Sequence, residues 1–188
     1  MNTLSLPLIR CDYKWFCNSD FNPLKRNCLN YSVEGGIQKI DSLIKQGATK
    51  EQILEDLRNQ QVAKNFSNEY KYYILLYGAF NNEDRNIIKR WTQYEDLFVT
   101  LVHQDGKKVG ERHLMQSIVL FFIRRYPSYG VYAGTFCKLL YEQELFNEEF
   151  FVPWFNKKLK LDKKSATYDR KAEKQFKEHI SQFVNWLQ

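Results

Sequence analysis

Between Glu83 and His103, apolar side chains recur at steps of three and four: Ile87, Ile88, Trp91, Tyr94, Leu97, Phe98 and Leu101. That period puts them on one face of a helix, whereas a half-buried strand requires strict alternation. The same spacing returns along most of the chain. Ile37, Ile40, Leu43 and Ile44 mark a helix over Ser32 to Lys45, which Gly47 ends. Thr49, with Gln52 three residues on, is a capping box that opens a second helix carrying Ile53, Leu54 and Leu57. Glu69 to Phe80 predicts a third helix, rich in tyrosine. Gln104-Asp105-Gly106 breaks the fourth, and Leu114, Met115, Ile118, Val119, Phe122 and Ile123 place another over Glu111 to Tyr126, stopped by Pro127. Further helices are expected over Val131 to Tyr141, in the region Asn147 to Lys158, and from about Tyr168 to Leu187. The last buries Ala172, Phe176, Ile180, Phe183 and Leu187. About eight helices with short turns and no strand give an all-α fold, a stack of antiparallel pairs resembling a small solenoid with no exact repeat.

A chain of 188 residues with 16% aromatics buries a core without help from metal or disulfides. Residues 1–30 read as an irregular arm, interrupted by Pro7 and Pro23 and packed through Trp15 and Phe16; residues 31–188 are the helical body. Leu4 to Ile9 is too short for a secretory signal and contains Pro7. No run approaches the roughly 18 apolar residues of a membrane span. The expectation is a cytoplasmic protein with reduced thiols and no membrane contact.

Chemistry-bearing patterns are missing. Cys11, Cys17 and Cys28 have the wrong spacing for zinc and no nearby histidine. Gly106-Lys107-Lys108-Val109-Gly110 lacks the form of a phosphate-cradling loop. His103, His113 and His179 are scattered, and Cys137 lies among apolar neighbours where packing explains it. No catalytic residue, metal or cofactor is expected; the chain reads as a binding module.

Charge and aromatics are concentrated near one end. Lys157, Lys158, Lys160, Lys163, Lys164, Arg170, Lys171, Lys174 and Lys177 stand against three acids in the same stretch, which accounts for the whole net charge of +6. Such a patch fits an acidic partner or phosphate, or else a solvated face. Just before it, Tyr141, Glu142, Glu144, Glu148, Glu149 and Trp154 interleave acids with aromatics. Glu148 and Glu149 follow Asn147, so they also suit the first turn of a helix. Carboxylates framed by aromatic rings hold ammonium heads and lysine stems well.

Leu140-Tyr141-Glu142, Glu148-Glu149 and Trp154-Phe155, followed after the basic stretch by Phe183-Val184-Asn185-Trp186-Leu187, resemble the paired aromatic/acidic boxes of the two-tryptophan (W2) domain. That domain closes translation initiation factor 5, its basic-leucine-zipper-and-W2 mimics, the epsilon subunit of exchange factor 2B and scaffold factor 4G. The motifs cover residues 130–188; upstream, the likeness is one of helical type and length. The resemblance implies a HEAT-like, MIF4G-related fold. It also implies a docking role in the preinitiation complex. Tyr141, Glu142, Glu144, Glu148, Glu149 and Trp154, with Phe183, Trp186 and Leu187, would receive the lysine-rich segment of the initiation factor 2 beta subunit. The basic residues would meet other components, including initiation factors 1 and 3. Both tryptophans are read as core ahead of contact.

Two departures stand out. The family's second box continues into glutamates where this chain has Gln188, and Pro153 precedes the first-box tryptophan, so a kink or a later helix start is expected. The zinc-bearing domain of factor 5 has no counterpart here. Two rival readings are the nucleotide-exchange segment of the 2B epsilon subunit, which promotes GDP release, and an RNA-binding helical domain with weak phosphate contacts.

Overall fold

The computed structural model describes the backbone over residues 23–80 and 86–188, with side chains from Val33 onward. Nine α-helices make up these residues: α1 (Pro23–Lys45), α2 (Lys50–Lys64), α3 (Asn68–Ala79), α4 (Ile87–Gln104), α5 (Lys107–Leu120), α6 (Ala133–Glu142), α7 (Glu148–Phe155), α8 (Arg170–His179) and α9 (Ser181–Leu187). No strand occurs among the described residues. None of their helices is long and apolar enough to cross a membrane.

Local chemistry sets the ends of the first helices. Gly47, at φ 73°, turns the chain so that its N–H and that of Ala48 bond back to Ile44 and Leu43. The Thr49 hydroxyl accepts from the Gln52 N–H while the Gln52 side chain accepts from the Thr49 N–H, completing the expected capping box. Helix α1 begins at Pro23, not Ser32, because a proline suits the first helical position, where no N–H is needed. The stretch 23–30, expected to be irregular, is therefore helical. The expected packing of Trp15 and Phe16 lies outside the described residues.

Helices α1, α3 and α5 stack as one row, with α2 and α4 beside it. Helix α3 is the centre of this stack: every residue from Tyr70 to Ala79 is buried. Its one cation in this run, Lys71, is paired with Asp105 at 2.6 Å, and the other sides are apolar or aromatic with no face to give to water. This two-row arrangement is the stack of antiparallel neighbours expected from the short turns, and it agrees with the HEAT-like fold that the resemblance implies.

Helix α5 starts at Lys107, one turn earlier than expected, behind Gly106. It ends in a π-helical turn, Phe121–Arg125, where the Tyr126 N–H reaches back to the Phe121 carbonyl. The wider turn lets Phe121 and Phe122 both face inward. A 3-10 segment, Pro127–Tyr132, then delays α6 to Ala133. The second half of the molecule assembles around an aromatic chain. Trp91 meets Phe136 at 5.0 Å, Phe136 meets Phe122 at 5.1 Å, Phe122 meets Phe176 at 5.8 Å, and Phe176 meets Trp154 at 6.2 Å between centroids.

The expected single helix from Tyr168 to Leu187 is two. Helix α8 stops at Ile180, whose N–H bonds to the Phe176 carbonyl, and Ser181 Oγ donates to the Glu178 carbonyl. The break turns α9 onto α6 and α7, where Phe183 and Val184 are buried.

Candidate docking surface

Asn147 caps α7 by accepting from the Phe150 N–H, which leaves Glu148 and Glu149 exposed in the first turn. The helix runs through Pro153 and starts where the acids suggest, because the proline sits near its end. The Pro153 carbonyl accepts from Lys158 and Leu159 as the chain leaves. Glu142 closes α6 and Glu144 follows at φ 56°; both are exposed.

The two tryptophans have opposite fates. Trp154 is fully buried (0% exposed), and its indole N–H donates to Glu173 at 2.8 Å. Glu173 also accepts from the Tyr168 hydroxyl at 2.9 Å and pairs with Lys177 at 2.9 Å. Burial, then this bond to Glu173, pushes the Tyr168 hydroxyl up to about 12. Trp154 is therefore core, and its place among partner contacts is withdrawn. Trp186 is 62% exposed, which corrects its reading as core. It stands on Tyr141 edge-on at 6.1 Å and beside Phe183 at 6.2 Å. Phe183 is itself buried and supports the pair from beneath, so it frames the surface without facing solvent. Leu187 and Tyr141 are half-buried.

The structure thus brings Tyr141, Glu142, Phe183 and Trp186 together on α6 and α9. Lys138 joins them: its ammonium lies 5.4 Å from the Trp186 ring centroid and 3.7 Å from the Glu142 carboxylate. The sequence reading missed this lysine, although its position four residues before Glu142 was the available signal. Glu148 and Glu149 lie outside this group of contacts. Their helix is linked to it through Phe151, which meets Phe183 at 5.1 Å.

Most of the expected basic residues are exposed: Lys157, Lys158, Lys160, Lys163, Lys164, Arg170, Lys171 and Lys174. Lys177 is not available to a partner. It donates to the Trp154 carbonyl at 2.7 Å, pairs with Glu173 and lies 4.7 Å from the Trp154 ring centroid. The segment between α7 and α8 is pinned to the body. Leu161 is buried, Gln116 donates to the Asp162 carbonyl at 2.8 Å, and the Ser165 and Thr167 hydroxyls bond each other at 2.9 Å. Asp169 caps α8 and takes two bonds from Arg124, at 3.0 and 2.8 Å. Burial pulls the Asp169 carboxyl up, but the Ala172 and Lys171 N–H groups and Arg124 outweigh it and hold it below the usual range. Cys137 is buried, and burial pushes its thiol well up.

The family model W2, described as eIF4-gamma/eIF5/eIF2-epsilon, matches residues 110–188. The solved C-terminal domain of translation initiation factor 5, at low pH, superposes with a TM-score of 0.56 and 19% identity, over 81% of this chain and 90% of that one. No curated protein matches the chain.

Proposed function

We propose that the chain is a docking module in translation initiation with no catalytic step of its own, a reading supported by the match of the W2 family model to residues 110–188. Its ligand is a lysine-rich segment of the kind carried by the beta subunit of initiation factor 2. The receiving surface is Tyr141, Glu142, Glu144, Trp186 and Leu187, flanked by Glu148 and Glu149. Exposed basic residues outside the segment Lys160 to Lys164, namely Lys157, Lys158, Arg170, Lys171 and Lys174, serve other components, initiation factors 1 and 3 among them.

One observation carries this reading. The protein's own Lys138 already sits between an exposed indole face and a carboxylate, the two groups that an incoming lysine needs. An exposed cation–π contact contributes about 0.5–1 kcal/mol, and an exposed ion pair about 0–1 kcal/mol. A single lysine is therefore held weakly. A run of lysines, engaging Glu142, Glu144, Glu148 and Glu149 in turn, reaches useful affinity through effective concentration.

The test is fluorescence anisotropy with a labelled lysine-rich peptide. Trp186→Ala is expected to weaken binding about two- to fivefold and the pair Glu148→Lys, Glu149→Lys at least about tenfold, with unchanged circular dichroism. Unchanged affinity in both variants would place the peptide elsewhere.

A further inference from the structure

The N-terminal half of α5 and the pinned segment after α7 are far apart in sequence, yet Gln116 and Asp162 join the two, and exposed cations stand on both. Lys107, Lys108 and Arg112 are exposed on α5. Lys108 and Arg112 lie four residues apart and lead along the helix to Gln116, whose amide holds the Asp162 carbonyl at 2.8 Å. His113, next to Arg112, feels the Asp162 charge directly. Lys160, Lys163 and Lys164 are exposed on either side of that anchor, because Leu161 turns inward. None of these six cations has an acidic partner within ion-pair distance among the described residues. Glu111, the acid of this helix turn, is only 6% exposed. Asp162 is the exposed acid on the face, and its carboxylate accepts from the Lys164 N–H. Half-buried Glu69 lies at the flank, near His113.

We infer that this two-segment ridge binds the phosphate backbone of structured RNA. Its composition decides between the polyanions. Protein interfaces centre on buried aromatic or aliphatic anchors and are poor in lysine. The ridge is rich in lysine, and its exposed apolar member is Val109. Backbone phosphates need only well-placed cations. The ridge also lacks an exposed ring for stacking, so it suits a paired stem more than unpaired bases. The site differs from the surface assigned to a lysine-rich peptide, which lies on α6, α7 and α9 and has the opposite charge.

The experiment titrates the full chain against a fluorescein-labelled RNA hairpin at two salt concentrations. The ridge variant carries Lys108→Glu, Arg112→Glu, Lys163→Glu and Lys164→Glu. A control carries Lys39→Glu, Lys50→Glu, Arg58→Glu and Lys89→Glu, an equal change in net charge on exposed residues elsewhere. Circular dichroism verifies that both fold, and a milder variant, Lys163→Gln with Lys164→Gln, covers loss of the first. The expected result is at least a tenfold loss of affinity and a shallower salt dependence for the ridge variant, with less than a threefold loss for the control. Equal losses in both would reduce the effect to net charge and overturn the site. Polyglutamate that displaces the hairpin at equal or lower charge concentration would overturn RNA in favour of an acidic protein partner. Binding of the lysine-rich peptide by the ridge variant is expected to persist, so the two sites fail or stand separately.

Discussion

Glu173 takes three donors at once: the Trp154 indole, the Tyr168 hydroxyl and the Lys177 ammonium. Its removal strands all three in a largely buried setting. Breaking a buried charge pair costs about 3–5 kcal/mol, and partial exposure places Glu173→Ala near the lower end, about 3 kcal/mol by urea denaturation. Glu173→Gln retains the acceptor oxygen and is expected to lose less. Equal loss in the two variants would mean that shape, and not hydrogen bonding, is what the carboxylate contributes. The same residue explains why two tryptophans with similar surroundings in sequence separate in space. Trp154 finds a buried acceptor nineteen residues away. Trp186 finds a neighbour's ring and stays in solvent.

At the level of the helix, the contact between α1 and α3 depends on Gly78. A methyl group there would lie 2.6 and 2.7 Å from Ile40 side-chain atoms and 3.1 Å from the Ile37 carbonyl oxygen. Gly78→Ala is therefore expected to destabilise by about 1–3 kcal/mol through overpacking. Adding Ile40→Leu, which moves the branch from Cβ to Cγ and so removes the Cγ2 methyl, should recover part of that, and a double-mutant cycle measures the coupling. Simple additivity would show that the helices separate instead of clashing. Helix boundaries were legible where the signal is local. The Thr49–Gln52 box, the Gly47 turn and the Asn147 cap all act within four residues. The break at Ile180 was not legible, because Ala172, Phe176, Ile180, Phe183 and Leu187 keep a helical period straight across it. Two short helices and one long one bury the same stripe, and what distinguishes them is how α6 and α7 receive α9. The site divides in the same way. The acids of both α6 and α7 could be placed by their caps and turns. The inward direction of Lys177 depends on Trp154 of α7, and the place of Lys138 over the Trp186 ring, which its spacing from Glu142 does not show, depends on α9.

Across the whole molecule, the buried titratable groups make stability depend on acidity. Burial holds His113 below its ordinary 6.5, although Glu69, Asp105 and Asp162 pull the other way and Lys71 adds to the lowering. As pH falls through 6.5, the unfolded chain takes up this proton before the folded one does, and stability is lost. Asp169, held low, contributes its share in full above 3.8 and loses it only in stronger acid, as pH falls through its lowered value. Glu95 and Glu111 are raised, chiefly by burial, so acidification relieves them and opposes the trend. Thermal melts from pH 7 to pH 5.5 are expected to show a falling midpoint that is flatter in His113→Gln. Parallel curves would assign the acid sensitivity to other groups.

Between Leu161 and Thr167, the basic segment is fastened by a buried leucine, an amide on a backbone carbonyl and a pair of hydroxyls. These fastenings to the body are neutral, and the Asp162 carboxylate within the segment takes a backbone N–H, not an ammonium. The charges they display are therefore separate from the frame that displays them. Over evolutionary time, the lysines can be exchanged, lost or reversed in sign without disturbing the path of the chain. Two proteins with this same backbone can thus attract opposite partners, and superposition alone would not reveal the difference.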